Sequence, residues 1–347
     1  MKEKYRKVFL ISSILLSVAV IAGIGVFYSL LAQKTITYKN PVGDMTDIGD
    51  PFVLKTGNSY YMYATSEATR GFKVWKSNNL VSWEYKGLAY DHYEQANRWA
   101  TGDFWAPEVI KHDGMFYMVY SARNNDGHLR ISIATSKDPL GPFKDTSVDI
   151  IKKEGSYIDG DIFIDNDGTP YLYYVKDNSE NIINGKHVSQ IYVQKMDQSL
   201  TQLIGQPQLL ITPDQQWEGI DRDFQWNEGP FVLKHDKRYY LMYSANFYAS
   251  ADYAIGYAVS DHPMGPFKKA KENPILSKDL EHGISGPGHN SVTLGPDGEN
   301  LYIIYHTHTY PNAPSGLRQM YIDRLFFEDG RIKIEGPTYL EQEIRID

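Results

Sequence analysis

The sequence predicts an all-β fold, a five-bladed β-propeller behind an N-terminal transmembrane or signal helix. Three observations carry that expectation. A unit of two paired strands recurs five times between residues 50 and 306, its strands are rich in Tyr, Ile, Val and Phe between Gly, Pro, Asn and Asp, and no amphipathic helical period follows residue 35. The chain divides into a targeting segment, residues 1–34, and a propeller domain, residues 35–347.

The first segment reads as a signal anchor or signal peptide. Lys2, Lys4, Arg6 and Lys7 precede an uncharged run of 25 residues from Val8 to Ala32, enough to cross about 30 Å of hydrocarbon as a helix. Basic residues ahead of the run hold the short tail in the cytoplasm and send the rest outward. Ala32 fits a cleavage site, whereas the length of the run favours an uncleaved anchor that keeps the chain on the membrane. Either reading exports the domain, to the extracellular space or the cell surface.

The exported part carries 30 Lys and Arg against 42 Asp and Glu, a net charge of −12, and such a surface repels nucleic acid. There is no cysteine, which removes disulfides, thiolate zinc sites and thiol nucleophiles. Roughly 310 residues exceed one ordinary hydrophobic core and suit several small sheets packed round a shared axis.

The repeat defines the blades. APEVIKHDGMFYMVYSA at 106–122 aligns without gaps with GPFVLKHDKRYYLMYSA at 229–245, and related closing segments follow, SKDPLGPFK at 136–144 and SDHPMGPFK at 260–268. DPFVLKTGNSYYMYATS at 50–66 is a weaker copy, and 161–175 and 290–306 repeat the order of apolar strand, polar turn and Tyr-rich strand. Each unit adds a third strand, such as Leu129 to Thr135, and an outer strand after the closing turn. Four strands make a propeller blade. A β-sandwich also has short strands, but it needs no such repetition, whereas blades bury their faces only against neighbouring blades.

In a propeller the first strand of each blade lines the axis, so the residues at its start share one cavity. Those starts read Gly49-Asp50-Pro51, Ala106-Pro107-Glu108, Ile158-Asp159-Gly160, Asn227-Glu228-Gly229 and Gly288-His289-Asn290, each with a carboxylate or an imidazole. Carboxyl groups that converge out of water are driven to different protonation states. Glycoside hydrolysis needs that split, a protonated acid at the leaving oxygen and an ionised carboxylate across the ring. Asp and Glu before a strand also serve as turn caps, which accounts for any one of these residues more easily than for all five.

The residues Asp50-Pro51-Phe52-Val53, Trp105-Ala106-Pro107-Glu108, Ile158-Asp159 with Asp165-Asn166-Asp167-Gly168, Asn227-Glu228-Gly229-Pro230 and Gly286-Pro287-Gly288-His289-Asn290-Ser291 resemble glycoside hydrolase family 43 across residues 45–340. The resemblance implies an inverting mechanism with Asp50 as general base, Glu228 as general acid and Asp159 tuning and orienting the acid. This chain has Asp159-Gly160 where family members often have Asp-Pro, and Asp161 stands in reserve for that role. Four more residues are expected to bind substrate. Trp105 offers a ring to a sugar face or packs as scaffold, Glu108 stands at a blade start, and Arg318 resembles an arginine that reaches sugar hydroxyls or else pairs with an acid. His289 resembles an axial histidine that in some members holds a calcium ion or its water shell, the alternative being a structural channel histidine. No other cofactor is needed for the chemistry.

His306 and His308 alternate on one strand without a third ligand nearby in sequence and read as strand or cleft residues, not a zinc pair. The expected activity is release of α-L-arabinofuranosyl or β-D-xylosyl units from plant cell-wall polysaccharides such as arabinan, arabinoxylan and xylan. An endo-1,5-α-L-arabinanase and a non-catalytic carbohydrate-binding propeller are the alternatives, and the loops at 90–104, 212–227 and 278–288 are expected to wall the cleft.

Overall fold

The computed structural model describes residues 34–43 and 45–346. The expected targeting helix lies outside them, except that Lys34, its last residue, opens a strand. Among the described residues no helix is long and apolar enough to cross a membrane.

Five four-stranded antiparallel sheets follow one another in the chain. Their innermost strands are Gly49–Thr56, Ala100–His112, Tyr157–Ile164, Asn227–His235 and Gly288–Leu294, here numbered as blades 1 to 5. The innermost strand of each blade packs on that of the next, and that of blade 5 packs on that of blade 1, so the sheets close a ring. The chain ends secure the closure: Lys34–Tyr38 pairs with Gln342–Ile346, and the segment after it is bonded to blade 5 through Val42 N–H to the Met320 carbonyl and Asn40 to Ile322.

The core is divided among the seams between blades. One seam joins Tyr63 and Phe72 of blade 1 to Met118 and Tyr120 of blade 2, another joins Tyr173 of blade 3 to Leu241 and Tyr243 of blade 4, and a third joins Met62 of blade 1 to Ile304 and Ile322 of blade 5. Most of the tyrosine content goes here, Tyr63, Tyr120, Tyr173, Tyr240, Tyr243 and Tyr305 being fully buried. Their hydroxyls find acceptors, as buried phenols must: Tyr120, Tyr243 and Tyr305 donate to the carboxylates of Asp145, Glu218 and Asp323. Tyr63 donates to the Pro139 carbonyl at 2.5 Å and Tyr173 to the Pro263 carbonyl at 2.6 Å. Pro139 and Pro263 belong to the two matched closing turns, so those turns resemble each other because each docks on a tyrosine of the preceding blade.

Candidate active site

Every innermost strand carries the same irregularity. Between Gly49 and Phe52, Trp105 and Glu108, Ile158 and Asp161, Glu228 and Phe231, and Gly288 and Ser291 the pairing slips by one residue, which is a β-bulge, a device that re-aims side chains. Within each bulge one residue has a left-handed backbone: Asp50, Ala106, Asp159, Gly229 and His289, with φ between 44° and 56°. Non-glycine residues hold that conformation at a cost and chiefly where surroundings enforce it. Five equivalent positions are thus turned toward one end of the channel, and Asp50, Asp159 and His289 occupy three of them.

Side chains from the neighbouring blade enforce it. The amide N–H of Asp50 is bonded to His306 Nδ1, that of Ala106 to Thr65 Oγ1, that of Asp159 to Ser121 Oγ and that of His289 to Ser244 Oγ. Thr65, Ser121, Ser244 and His306 are themselves equivalent, each paired with the residue before its own blade's left-handed position. Blade 3 breaks the pattern, because the residue paired with Ile158 is Val175. With no polar atom there, the Gly229 N–H donates instead to Asp159 Oδ2 at 3.0 Å. An apolar residue in the second strand of blade 3 therefore ties Asp159 to the strand that carries Glu228.

The three carboxyl groups are all buried, yet their surroundings divide them. Burial alone would raise Asp50, but Arg318 Nη1 at 2.7 Å from its Oδ1, followed by His289 with Nδ1 at 3.3 Å, holds it well below the ordinary carboxylate range. Arg318 is the decisive cation, since burial pushes His306 down to about 3 and leaves it neutral. Thr65 Oγ1 donates to the other oxygen of Asp50 at 2.6 Å. Glu228 moves the opposite way: burial first, then the charge of Asp159, raise it well above its usual value, against the opposing bond from Tyr253 OH at 2.8 Å. Burial, followed by the charge of Asp50, lifts Asp159 to about 6, while His289 and the Gly229 N–H oppose the rise. One cavity therefore drives one carboxyl toward its ionised form and another toward its protonated form, the division acid–base catalysis uses.

Two glycines make room for the partners. A β-carbon at Gly49 would stand 2.0 Å from the Arg318 guanidinium, and one at Gly288 would stand 2.1 Å from the Tyr253 ring. Gly49 and Gly288 are equivalent to Glu228, each standing one residue before the left-handed position. Where blade 4 projects the acid, blades 1 and 5 project nothing, and Arg318 and Tyr253 fill the space.

These residues line a pocket of about 570 Å³. Asp50, Asp159, Glu228, Trp105, His289 and Arg318, all singled out from the sequence, stand in its wall together with Phe224, Trp226, Phe247, Tyr248, Tyr253 and Asn178, which were not. Trp105 is half-buried and packs against the seam between blades 3 and 4. Of the loops expected to wall the cleft, 212–227 does so through Phe224 and Trp226; the segments 90–104 and 278–288 contribute only Asp103, which pairs with the lining residue Arg123 at 2.6 Å. The wall is completed by 246–253, whose Phe247 and Tyr248 are surface aromatics in a loop, a signal that was available in the sequence.

Glu108 does not belong to this pocket. It lies two residues beyond the left-handed Ala106 of its strand and lines a separate cavity of about 380 Å³ with Asp161. Two residues along a strand are about 6.6 Å, so the two acids sit further down the channel than Asp50 and Asp159. Asp161, the reserve candidate, accepts from the Val232 N–H at 2.9 Å and acts as a strut between blades 3 and 4. Burial, and after it the charge of Asp161, push Glu108 upward, and burial lifts Asp161 to about 7, so this pair holds a proton near neutrality.

His306 and His308 are fully buried. His306 supports Asp50, and His308 bridges Ser285 Oγ at 2.9 Å and the Tyr248 carbonyl at 2.8 Å, fixing the loop that carries Tyr248. The expected axial calcium, or its water shell, would have to be held at His289 beside Asp50. Calcium takes six to eight oxygens, whereas the carboxylate beside His289 is already paired with Arg318, and among the described residues no three His, Cys, Asp or Glu side chains are grouped to hold a metal.

The broken pattern in blade 3 makes a prediction. Val175→Ser places a hydroxyl where blades 1, 2 and 4 have one and competes for the Gly229 N–H. Losing that bond raises Asp159, which is then less often charged. A less charged Asp159 repels the Glu228 carboxylate less, so the acid ionises at lower pH. The alkaline limb of the kcat/KM profile should move to lower pH, with the acid limb, set by Asp50, unmoved; an unmoved alkaline limb would show that the bond does not matter.

A sequence profile of glycosyl hydrolases family 43 matches residues 38–332. The solved structure of a thermostable family-43 glycoside hydrolase is 62% identical and superposes with a TM-score of 0.87 over 88% of this chain and 98% of that one. A structure titled endo-1,4-beta-xylanase from Bacteroides thetaiotaomicron is 34% identical, with a TM-score of 0.73 over 87% of this chain and 98% of that one. A Butyrivibrio fibrisolvens protein named xylosidase/arabinosidase is 27% identical over 86% of this chain, which spans 57% of that relative's length.

Proposed function

The chain belongs to glycosyl hydrolase family 43, and from that premise we propose an inverting glycoside hydrolase that releases α-L-arabinofuranosyl or β-D-xylosyl units from arabinan, arabinoxylan or xylan outside the cell. One observation carries the reading: a single pocket holds Asp50 and Glu228 in surroundings that push their carboxyl groups in opposite directions, Asp50 toward the ionised form and Glu228 toward the protonated one. Glu228 gives its proton to the glycosidic oxygen as the bond to the anomeric carbon breaks. Asp50 takes a proton from a water that attacks the same carbon from the opposite face, forming the new bond with inverted configuration. Arg318 holds Asp50 charged, and burial, with the charge of Asp159 added to it, favours the protonated form of Glu228. The names of the similar proteins support a pentose substrate, and the basic flank and apolar run ahead of the domain support export.

The test is hydrolysis of the p-nitrophenyl α-L-arabinofuranoside and β-D-xyloside and of arabinan and xylan, with the first anomer formed followed by proton NMR. Turnover with inversion is expected. Binding of these polymers without turnover would favour the non-catalytic propeller, and a retained anomer would make Asp50 a nucleophile. Internal cleavage of arabinan in preference to release of single units would favour the endo-acting alternative.

A further inference from the structure

We propose that an aromatic ridge leading out of the pocket, formed by Phe224, Trp226 and Phe247 with His187 at its far end, binds the sugar chain on the leaving-group side of the scissile bond. The inference rests on the hydrolase reading for the direction of the chain, and on the ridge itself for its occupant.

Phe224 and Phe247 leave 48% and 42% of their surfaces in water, a costly display unless something covers them. The rings are arranged in series. His187 stacks on Phe224 with centroids 4.4 Å apart and planes 8° from parallel, Phe224 lies 6.2 Å and 24° from Trp226, and Trp226 lies 5.4 Å from Phe247. Phe224, Trp226 and Phe247 line the pocket and His187 does not, so the series begins at the pocket and continues past it. His187 covers one face of Phe224, and Trp226 and Phe247 are tilted by 39°, so the apolar surface on offer is the exposed part of Phe224 and Phe247, which suits the C–H faces of pyranose or furanose units, while neighbouring polar groups, here Asn178 and Ser179, suit their hydroxyls.

The ridge is built on a frame. Phe224–Gln225 pairs in parallel with Lys186–Val188, an insertion in blade 3. Gln225 Nε2 donates to the Ile220 and Arg222 carbonyls, and Asn178 Nδ2 donates to the Gln225 carbonyl. On the other side Asn246, beside Phe247, donates to the Trp217 and Asp252 carbonyls. These bonds hold the rings in place before any ligand arrives, which reduces the ordering cost of binding.

Direction follows from the chain. Trp226 stands two residues before Glu228 on the way into the same strand, so the ridge extends from the side of the acid. Glu228 protonates the oxygen that departs with the leaving group, while Arg318 and His289 stand 2.7 and 3.3 Å from Asp50, the group that activates the attacking water. The unit being released therefore sits toward Asp50, and the remainder of the chain runs over the ridge.

The test uses the full chain carrying Glu228→Gln to stop turnover, titrated with unbranched xylo- and arabino-oligosaccharides of two to five units and followed by tryptophan fluorescence and calorimetry. Affinity for at least one series should rise about tenfold from the disaccharide to the tetrasaccharide, and Phe224→Ala or Phe247→Ala should bring that ratio close to one. His187→Ala should remove the gain only beyond the trisaccharide. Melting temperatures of the variants, with Phe224→Leu as a milder change, separate loss of a ring from loss of fold. Affinity independent of length in both series, or variants that keep the length dependence, would overturn the ridge. Length-dependent binding by a parent that hydrolyses nothing would leave the ridge standing and remove the hydrolase reading instead.

Discussion

Glu228→Gln is expected to reduce kcat on a pentose oligosaccharide by about 10⁴-fold, the upper range for a positioned proton donor, and on the p-nitrophenyl glycoside by no more than about 10²-fold. The difference arises in the leaving group. A sugar alkoxide departs only as it is protonated, whereas p-nitrophenolate is stable enough to leave without help. The substitution is conservative in shape, since the amide oxygen still accepts from Tyr253, whose hydroxyl stands 2.8 Å from Glu228 Oε1. The alkaline limb of the pH profile should vanish with the titrating acid. That limb lies high in the parent because burial, with the Asp159 charge added to it, favours the protonated form, and activity falls as pH rises through the elevated value. Equal losses on the two substrates would show that Glu228 does not protonate the leaving oxygen, and a preserved alkaline limb would assign it to another group.

Much of this arrangement is legible in the residues before the fold is known. The five blades follow from the repeat, and the acids of blades 1, 3 and 4 stand out because polar residues at the head of an axial strand have no core role. Depth along the channel was less visible. Aligning blade starts by residue type put Glu108 level with Glu228, although the gapless match of 106–122 with 229–245 already sets Glu108 opposite Phe231 and Trp105 opposite Glu228. The bulge explains why the gapless register is the physical one: each left-handed residue sits at the same step of its strand, and an acid two steps later belongs to the other cavity. The capping pattern was hidden for a different reason. Val175 reads as an ordinary strand residue, and its effect lies in the hydroxyl it lacks, which frees a neighbour's N–H for Asp159. The aromatic wall depends on loops of two blades meeting, and their separation in sequence gives no measure of distance in space.

Asp50→Asn should abolish hydrolysis to a similar extent, about 10⁴-fold, and should also destabilise the fold, which Glu228→Gln should not. Arg318 is only 7% exposed, and its guanidinium is 2.7 Å from the carboxylate that neutralises it. Removing one partner of a buried pair costs roughly 3–5 kcal/mol because the other charge remains without compensation. The pH dependence identifies the cause. Asp50 is depressed in the folded protein, so its contribution is fully present above the ordinary carboxylate value of about 3.9 and is lost as pH falls through the lower folded value. The gap in melting temperature between parent and variant should therefore be widest near neutrality and close in strong acid. Adding Arg318→Met removes the stranded cation, and the double variant should regain much of the stability while remaining inactive. Arg318→Met alone leaves Asp50 buried without its cation; the carboxyl then rises, and the acid limb of the activity profile should move to higher pH. A double variant no more stable than Asp50→Asn would place the stabilisation in the bond from Thr65 and the contact with His289 instead of in the ion pair.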